Sequence, residues 1–423
     1  MKMQKIANNP YLLFSPFLVF FAIIVFKFHT DAFEGDESRY YQFAANLLNG
    51  FYSPPAPNIN LWNGPGYPMV LMPFVALGLP LISITLLNAL LHYLSIVLLF
   101  KSAKRYTSYR KALIVGICWG LYYTTYIQLP EMYTESLMYF LITLFIWSIT
   151  KAFQDDNRKY TLLSGLIAGY IVLTKILFGY VILLMLAVCL MLWLAKKGKE
   201  YRISCQILGI AFLVFLPWLV YTYSLTKKPL YFGNSGGVLL YWMSTPHEGE
   251  LGDWKEPDMT TKYKAGTPVP SNGNAMLKKN HQESHSEIFK HTGVERDEAY
   301  KRIAVENIKQ NPTKFIKNWI ANIGRLLFDF PNTYVFQNTN QLFKLPPNTS
   351  TVFLSILCLI PTLSNWRKIP FQIRFLLMFA LIYLAPTTLL SAYSRFFTVI
   401  VPILLVWIAY IIQRTMRLRI KFR

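Results

Sequence analysis

Four carboxylates, Asp31, Glu34, Asp36 and Glu37, fall within seven residues of a chain of 423 that holds only 21 acidic residues. A carboxylate fixed in place and kept ionised is a candidate general base. The residues that follow carry a helical pattern. Tyr40, Phe43, Ala44, Leu47 and Leu48 recur at i, i+3, i+4, i+7 and i+8, and Gly50 suits the position just past the helix end. Asp36 then stands at the N-cap with Glu37 in the first turn. Two roles are open to Asp36: a helix cap and nothing more, or a carboxylate held for chemistry. Arg39, on the same helix, is placed to pair with an acidic neighbour such as Asp36.

Other charges sit where charges are scarce. Lys175 and Arg395 each stand at the end of a long apolar run. A charge there costs a few kcal/mol unless it snorkels to the interface or is paired. Glu131 and Glu135 lie four apart at the end of another run and are expected on one helix face, with Pro130 at the helix start. They suit an acceptor or, together with Asp36, a divalent cation; carboxylates are also favoured at a helix start for the dipole alone. No His or Cys cluster has zinc spacing. His92, mid-run, is expected as a satisfied core histidine, and His281, His285 and His291 as solvated loop residues. Cys118, Cys189, Cys205 and Cys358 fall in or beside apolar runs and are expected as small buried hydrophobes, not as an exported disulfide.

The elements that position these groups are membrane helices. Apolar residues make up 54% of the chain and charged residues 15%, which excludes a disordered chain and is far below the charge of a soluble domain. Ten apolar runs are long enough to be read as spans: about 11–28, 81–100, 112–129, 132–150, 160–175, 177–195, 204–225, 351–365, 371–390 and 396–413. The net charge of +21 has two readings, nucleic acid or cytoplasmic loops. Its distribution decides, because the basic residues bunch after alternate spans, from Lys2 and Lys5 through Lys101–Lys111, Lys151–Lys159, Lys196–Arg202 and Arg367–Arg374 to Arg414–Arg423. This positive-inside pattern predicts both termini in the cytoplasm and no nucleic-acid partner. The first span reads as a retained helix, not a cleaved leader. Three regions follow: 1–225, a bundle whose outer loop 29–80 carries the chemistry; 226–350, a large outer loop with amphipathic helices; and 351–423, the last spans and a basic tail.

Within 29–80 the 37–49 helix is expected to rest in the membrane interface, and Met69–Leu79 is too short to span. Pro and Gly in Ser53–Pro57 and Asn63–Pro68 fix turns between them. Within 226–350, Gly233–Gly237 reads as a turn, 244–285 as a mobile polar connection that acts either as a lid over donor or as a plain loop, and Thr292–Glu295 as a capping box that starts a helix. Asn311-Pro312 starts a second helix. Trp242 and Trp254 are expected as interface anchors or as platforms for a sugar.

The run Gly35-Asp36-Glu37-x-Arg39-Tyr40-x-x-x-Ala44-x-x-Leu47-Leu48-x-Gly50, followed by Pro65-Gly66-Tyr67-Pro68, resembles the first outer loop of GT-C class membrane glycosyltransferases. The branch it is most similar to holds protein O-mannosyltransferases and the lipid A aminoarabinose transferase. Leu173-Thr174-Lys175, Pro217-Trp218 with Gly236-Gly237, Asn311-Pro312 and Tyr393-Ser394-Arg395-Phe396 resemble later landmarks of that branch. The resemblance implies an all-α membrane bundle and an enzyme that moves a sugar from a polyprenyl-phosphate donor to an envelope acceptor (lipid, glycan or protein) at the outer membrane face, with inversion. Asp36 and Glu37 match the acidic pair at its reaction centre. Lys175, Arg395 and Arg39 are then assigned to the donor phosphate, and Glu131, Glu135, Tyr40 and Tyr67 to acceptor or substrate. Some members carry a Lys just before the Pro-rich turn, where this chain has Asn63-Gly64, so the phosphate contact is expected from elsewhere.

Two other readings compete: a transporter or flippase of lipid-linked saccharide, and an envelope-polysaccharide polymerase or ligase. A transporter implies repeats or broken helices with polar sites at the midplane. Here the unusual charges collect at one face instead.

Overall fold

A computed structural model describes residues 9–33, 35–256, 273–335 and 340–415. Glu34, the terminal basic residues Lys2, Lys5 and Arg417 to Arg423, and the stretch 257–272 of the polar segment lie outside these residues. Among the described residues all regular structure is helical, and eight helices are long and apolar enough to cross a membrane.

In chain order the helices are α1 (Pro10–Phe28), α2 (Glu37–Leu48), α3 (Gly66–Ala76), α4 (Leu81–Ala103), α5 (Tyr109–Gly120), α6 (Glu135–Gln154), α7 (Arg158–Thr174), α8 (Leu177–Leu194), α9 (Lys199–Thr226), α10 (Gly236–Met243), α11 (Gly273–Ile288), α12 (Gly293–Gln310), α13 (Pro312–Phe328), α14 (Asn340–Ser364), α15 (Phe371–Leu389) and α16 (Ser394–Thr415). The eight candidate spans are α1, α4, α6, α8, α9, the Leu345–Ser364 part of α14, α15 and α16.

Two of the ten expected spans are not among these eight. The 112–129 run is helical only to Gly120; a 3-10 turn follows at Tyr123–Thr125. There Thr125 Oγ1 donates to Tyr122 O at 2.8 Å and the Tyr122 hydroxyl donates to Asn348 Oδ1 at 2.6 Å, so side chains serve the bonds that a helix would have made. The 160–175 run is the 17-residue α7, which ends with Lys175 as its C-cap.

Small residues set the close helix pairs, as expected where lipid removes the hydrophobic drive between helices. On α7 a methyl at Gly165 or Gly169 would sit 2.6 and 2.4 Å from Cβ of Ile210 and Val214 on α9. On α5, Gly116 and Gly120 take the rings of Phe14 and Phe17 from α1 in the same way. At one end of the bundle the basic loops meet: Arg105 forks onto Asp155 at 2.9 and 3.0 Å, and Lys199 pairs with Asp156. The start of α6, the ends of α1 and α7, and the start of α16 gather at the other end with α2 and α3.

The segment between α9 and α14 builds a second small core from Val238, Tyr241 and Trp242 of α10, Leu277 and Ile288 of α11, and Ala299, Tyr300 and Ala304 of α12. Five expectations change here. Gly236-Gly237 opens α10 instead of forming a turn, because Gly237 N donates to Asp297 Oδ1 at 2.7 Å. Part of the polar 244–285 stretch is the ordered α11. His281 and His285, expected in solvent, are buried on the α11 face that packs against Tyr241 and Trp242. His281 Nε2 lies 2.9 Å from Glu250 Oε2 and its Nδ1 lies 2.6 Å from the Tyr241 hydroxyl, so its polar atoms are served inside. Trp242 is likewise core, while Trp254 packs edge-on to Trp62. The capping box at Thr292 does not form; its hydroxyl donates to Pro57 O at 3.0 Å and ties α12 to the first loop.

Candidate active site

Gly35, with φ of +57°, turns the chain into α2, and a side chain there would meet the Tyr133 hydroxyl at 2.8 Å. Asp36 follows at the N-cap but makes no capping bond with its side chain. Its carboxylate instead takes the Arg39 guanidinium on one oxygen and Arg395 on the other, the latter at 3.5 Å. The reading of Asp36 as a cap alone is therefore excluded. Arg395, the second residue of α16, also reaches Glu135 Oε1 at 3.8 Å. Lys175 donates to the same Glu135 oxygen at 3.0 Å. Neither Lys175 nor Arg395 is the isolated cation that its place in the sequence predicts; both pair with one carboxylate, Glu135, which is 1% exposed.

These five side chains form one network from four elements: α2, α6, the end of α7 and α16. Three cations face two carboxylates, so the network carries one positive charge in excess. Asp36, Arg39 and Arg395 remain 28%, 26% and 22% exposed, open enough to meet a ligand.

Glycine lets the loop reach this network. Gly64 lies so close to the end of α7 that a Cβ would stand 2.1 Å from Leu173 O, and one at Gly66 would stand 2.6 Å from Thr174 Oγ1. Tyr170 donates to Gly66 O at 2.7 Å and locks the contact. Lys175 is the next residue, so the turn places Asn63 beside the network. Asn63 Oδ1 accepts from Arg39 Nε at 3.0 Å and its Nδ2 donates to the Tyr40 hydroxyl at 3.1 Å. Asn63 is a site residue that sequence reasoning treated only as the place of a missing Lys; its position before Pro65-Gly66-Tyr67-Pro68 was the sole signal. Tyr133 was also missed, and its ring lies 4.9 Å beneath the Arg395 guanidinium.

The remaining expected residues divide. Glu37 is buried and its Oε1 accepts from Met132 N at 2.6 Å, so it braces the loop before α6. Tyr40 and Tyr67 meet edge-on at 5.2 Å next to the network. Burial, reinforced by Asp36 and Glu135, raises the Tyr40 phenol well above its usual range, so it stays protonated. The Tyr67 hydroxyl is buried without a hydrogen-bond partner. Glu131 does not share a helix with Glu135, since α6 starts only at Glu135. The preceding peptides are committed elsewhere: Asn88 Nδ2 donates to Leu129 O at 3.3 Å and to Glu131 O at 2.8 Å. Among the described residues no three His, Cys, Asp or Glu side chains are grouped to hold a metal ion. His92 is a core residue as expected, 2.9 Å from Thr125 Oγ1.

Arg39 has a second side. Its guanidinium stacks 4.9 Å over the Trp62 ring and lines a cleft of about 270 Å³ between residues 58–62 and the first turns of α12.

Residues 63–221 match the family model described as dolichyl-phosphate-mannose-protein mannosyltransferase. The likeness to GT-C membrane glycosyltransferases is thereby borne out. The matched segment includes Asn63, Glu135 and Lys175 and begins after Asp36. No curated protein matches the chain. Among solved structures it is similar to ArnT from Cupriavidus metallidurans bound to undecaprenyl phosphate, at 13% identity and a TM-score of 0.43, over 95% of this chain and 77% of that one. It is also similar to the S. cerevisiae protein O-mannosyltransferase Pmt1-Pmt2 complex bound to the sugar donor, at 16% identity and a TM-score of 0.40, over 63% of this chain and 39% of that one. A third is the Archaeoglobus fulgidus oligosaccharyltransferase, at 12% identity and a TM-score of 0.49, over 94% of this chain and 49% of that one.

Proposed function

We propose that this glycosyltransferase moves a sugar from a polyprenyl-phosphate donor to a hydroxyl or amine of an envelope acceptor at the outer face of the cytoplasmic membrane. The observation that carries the reading is Asp36 gripped by Arg39 and Arg395 at the edge of a network with one positive charge too many. A phosphate is the group that such an excess of cations suits. The orientation is supported by the basic loops, which lie at the end of the bundle away from Asp36 and fit the cytoplasmic side. Both termini then lie in the cytoplasm.

Chemically, the acceptor oxygen or nitrogen forms a bond to the anomeric carbon as the bond from that carbon to the phosphate oxygen breaks. The phosphate leaves with the electron pair, and the acceptor proton passes to Asp36. A single displacement of this kind inverts the anomeric centre. In the resting network Asp36 is held by the guanidiniums of Arg39 and Arg395. A donor phosphate competes for the same guanidiniums and loosens their hold on Asp36. Asp36 is then free to turn to the acceptor hydroxyl or amine. Lys175 and Arg395 remain to neutralise the departing phosphate, and Asn63 keeps Arg39 in register through Nε.

Asp36→Asn tests this. The variant is expected to insert and fold as the parent does and to bind farnesyl phosphate, yet to lose the change in envelope glycolipids and glycans that mass spectrometry finds between cells with and without the protein. A parental glycan profile from that variant removes the base. A divalent metal is tested by EDTA, which is expected to leave transfer intact where Arg and Lys alone neutralise the phosphate.

A further inference from the structure

The cleft beside Trp62 is a formed site whose chemistry has not been used above. Its walls are fixed. Asn234 accepts from Leu61 N at 2.9 Å through Oδ1 and donates to Ile59 O at 3.0 Å through Nδ2. On the other side Gly293, with φ of +53°, brings α12 so near the loop that a Cβ would stand 2.5 Å from Pro57 O. A site held by buried bonds on one wall and by close backbone contact on the other needs little ordering when a ligand enters.

The lining is polar and planar. Asn58, Asn60, Arg296 and Asp297 supply amide, guanidinium and carboxyl groups, Trp62 an indole, and Tyr300 a phenol. Tyr300 is 3% exposed, and its hydroxyl is buried without a hydrogen-bond partner. A buried hydroxyl left unpaired costs about 1–3 kcal/mol, so an orphan on a residue that lines a cleft is a place where a ligand can supply the bond. Planar forks of this kind match the adjacent hydroxyls of a sugar ring, and an indole covers its C–H face. The volume, about 270 Å³, is near the lower end for small-molecule pockets, which suits a ring or two and not a long chain. An extended peptide is better served by an exposed strand edge, and the described residues offer no strand.

We propose that this cleft is an acceptor subsite that takes the sugar ring of a saccharide and presents one of its hydroxyls past Arg39 to Asp36. The inference rests on the transferase reading above, but it concerns acceptor alone. Arg39 joins the two: it bonds Asp36 on one side and stacks on Trp62 on the other. A saccharide seated in the cleft therefore lies within one side chain of the proposed base.

The test uses the full chain in lipid nanodiscs and saturation-transfer NMR. The probes are methyl glycosides of glucose, mannose, galactose and N-acetylglucosamine, with cellobiose and chitobiose; a Ser/Thr-rich peptide is the competing probe. At least one saccharide is expected to take up saturation. Tyr300→Phe is expected to weaken that binding about five-fold, the value of roughly one hydrogen bond, and Asn58→Ala/Tyr300→Phe further. Tyr300→Phe removes an unpaired hydroxyl, so its melting temperature is expected to stay level or rise. No signal from any saccharide, signals unchanged in both variants, or signals from the peptide that vanish in the variants would each overturn the proposal. Farnesyl phosphate binding, read in parallel, reports on the donor site: its loss in Arg395→Ala with saccharide binding intact separates failure here from failure of the transferase reading.

Discussion

Glu135 shows what a single residue decides. A carboxylate 1% exposed at the head of a membrane helix is tolerable only because Lys175 and Arg395 meet it. Removing Lys175 leaves Glu135 to Arg395 alone, at 3.8 Å, and approaches the roughly 3–5 kcal/mol cost of a buried charge without a partner. Lys175→Met is therefore expected to lower thermal stability strongly, and Glu135→Gln added to it to restore much of the loss. A double-mutant cycle by thermal melting in detergent checks this; simple additivity would show that the pair does not interact. Asp36 behaves differently. It is 28% exposed, so Asp36→Asn is expected to cost little stability while abolishing the proposed transfer, and the two effects are separable at this position.

At the scale of elements, the reactive side chains are placed by helix ends, and those ends are held by buried amides. Asn322 on α13 is fully buried; its Nδ2 donates to Thr388 O and Leu390 O at 2.7 Å each, and its Oδ1 accepts from Ala392 N at 3.0 Å and Arg325 Nη2 at 3.1 Å. It thus clamps the turn between α15 and α16, three residues before Arg395. Asn322→Asp replaces the donor to two carbonyls by an acceptor, and Asn322→Ala leaves both unserved. Either is expected to slow transfer by up to about 100-fold through misplacement of Arg395, with farnesyl phosphate affinity falling alongside. Unchanged phosphate affinity would show that the clamp does not position Arg395. The second expected effect lies at α7 and α9. Gly169→Leu drives a side chain into Val214 and parts the helices that set Lys175, so insertion or folding is expected to fail.

At the scale of the molecule, the outer helices form a small core with its own pH response. Burial lowers the His285 imidazole from its usual value to about 4, with His281 adding repulsion. The unfolded chain takes up a proton near pH 6.5 that the folded one refuses, so this group's contribution is whole above pH 6.5 and shrinks as pH falls toward 4. Asp297 works the other way, since burial raises its carboxyl to about 6. Comparing variants isolates the histidine: the fall in melting temperature from pH 7 to pH 5 is expected to be smaller in His285→Phe than in the parent. An equal fall in both would show that His285 does not couple to folding.

Much of this was legible in the chain alone, for physical reasons. Hydrocarbon admits only apolar helices, so composition and charge distribution revealed a helical membrane bundle, though not that the 112–129 run would stop at Gly120. The acidic loop, Arg39, Lys175 and Arg395 stood out because charge is expensive where they lie. Of the pairings only Asp36–Arg39, three residues apart, was legible; the others depend on which helix ends meet, Glu135 between Lys175 and Arg395, and Arg395 on the second oxygen of Asp36. Nor did the burial of His281 and His285, because a polar stretch gives no sign that it will pack on Tyr241 and Trp242 or that Tyr241 and Glu250 will serve His281. Residue type fixed where a charge needed a partner; only the folded chain, by bringing distant ends together, decided which partner it received.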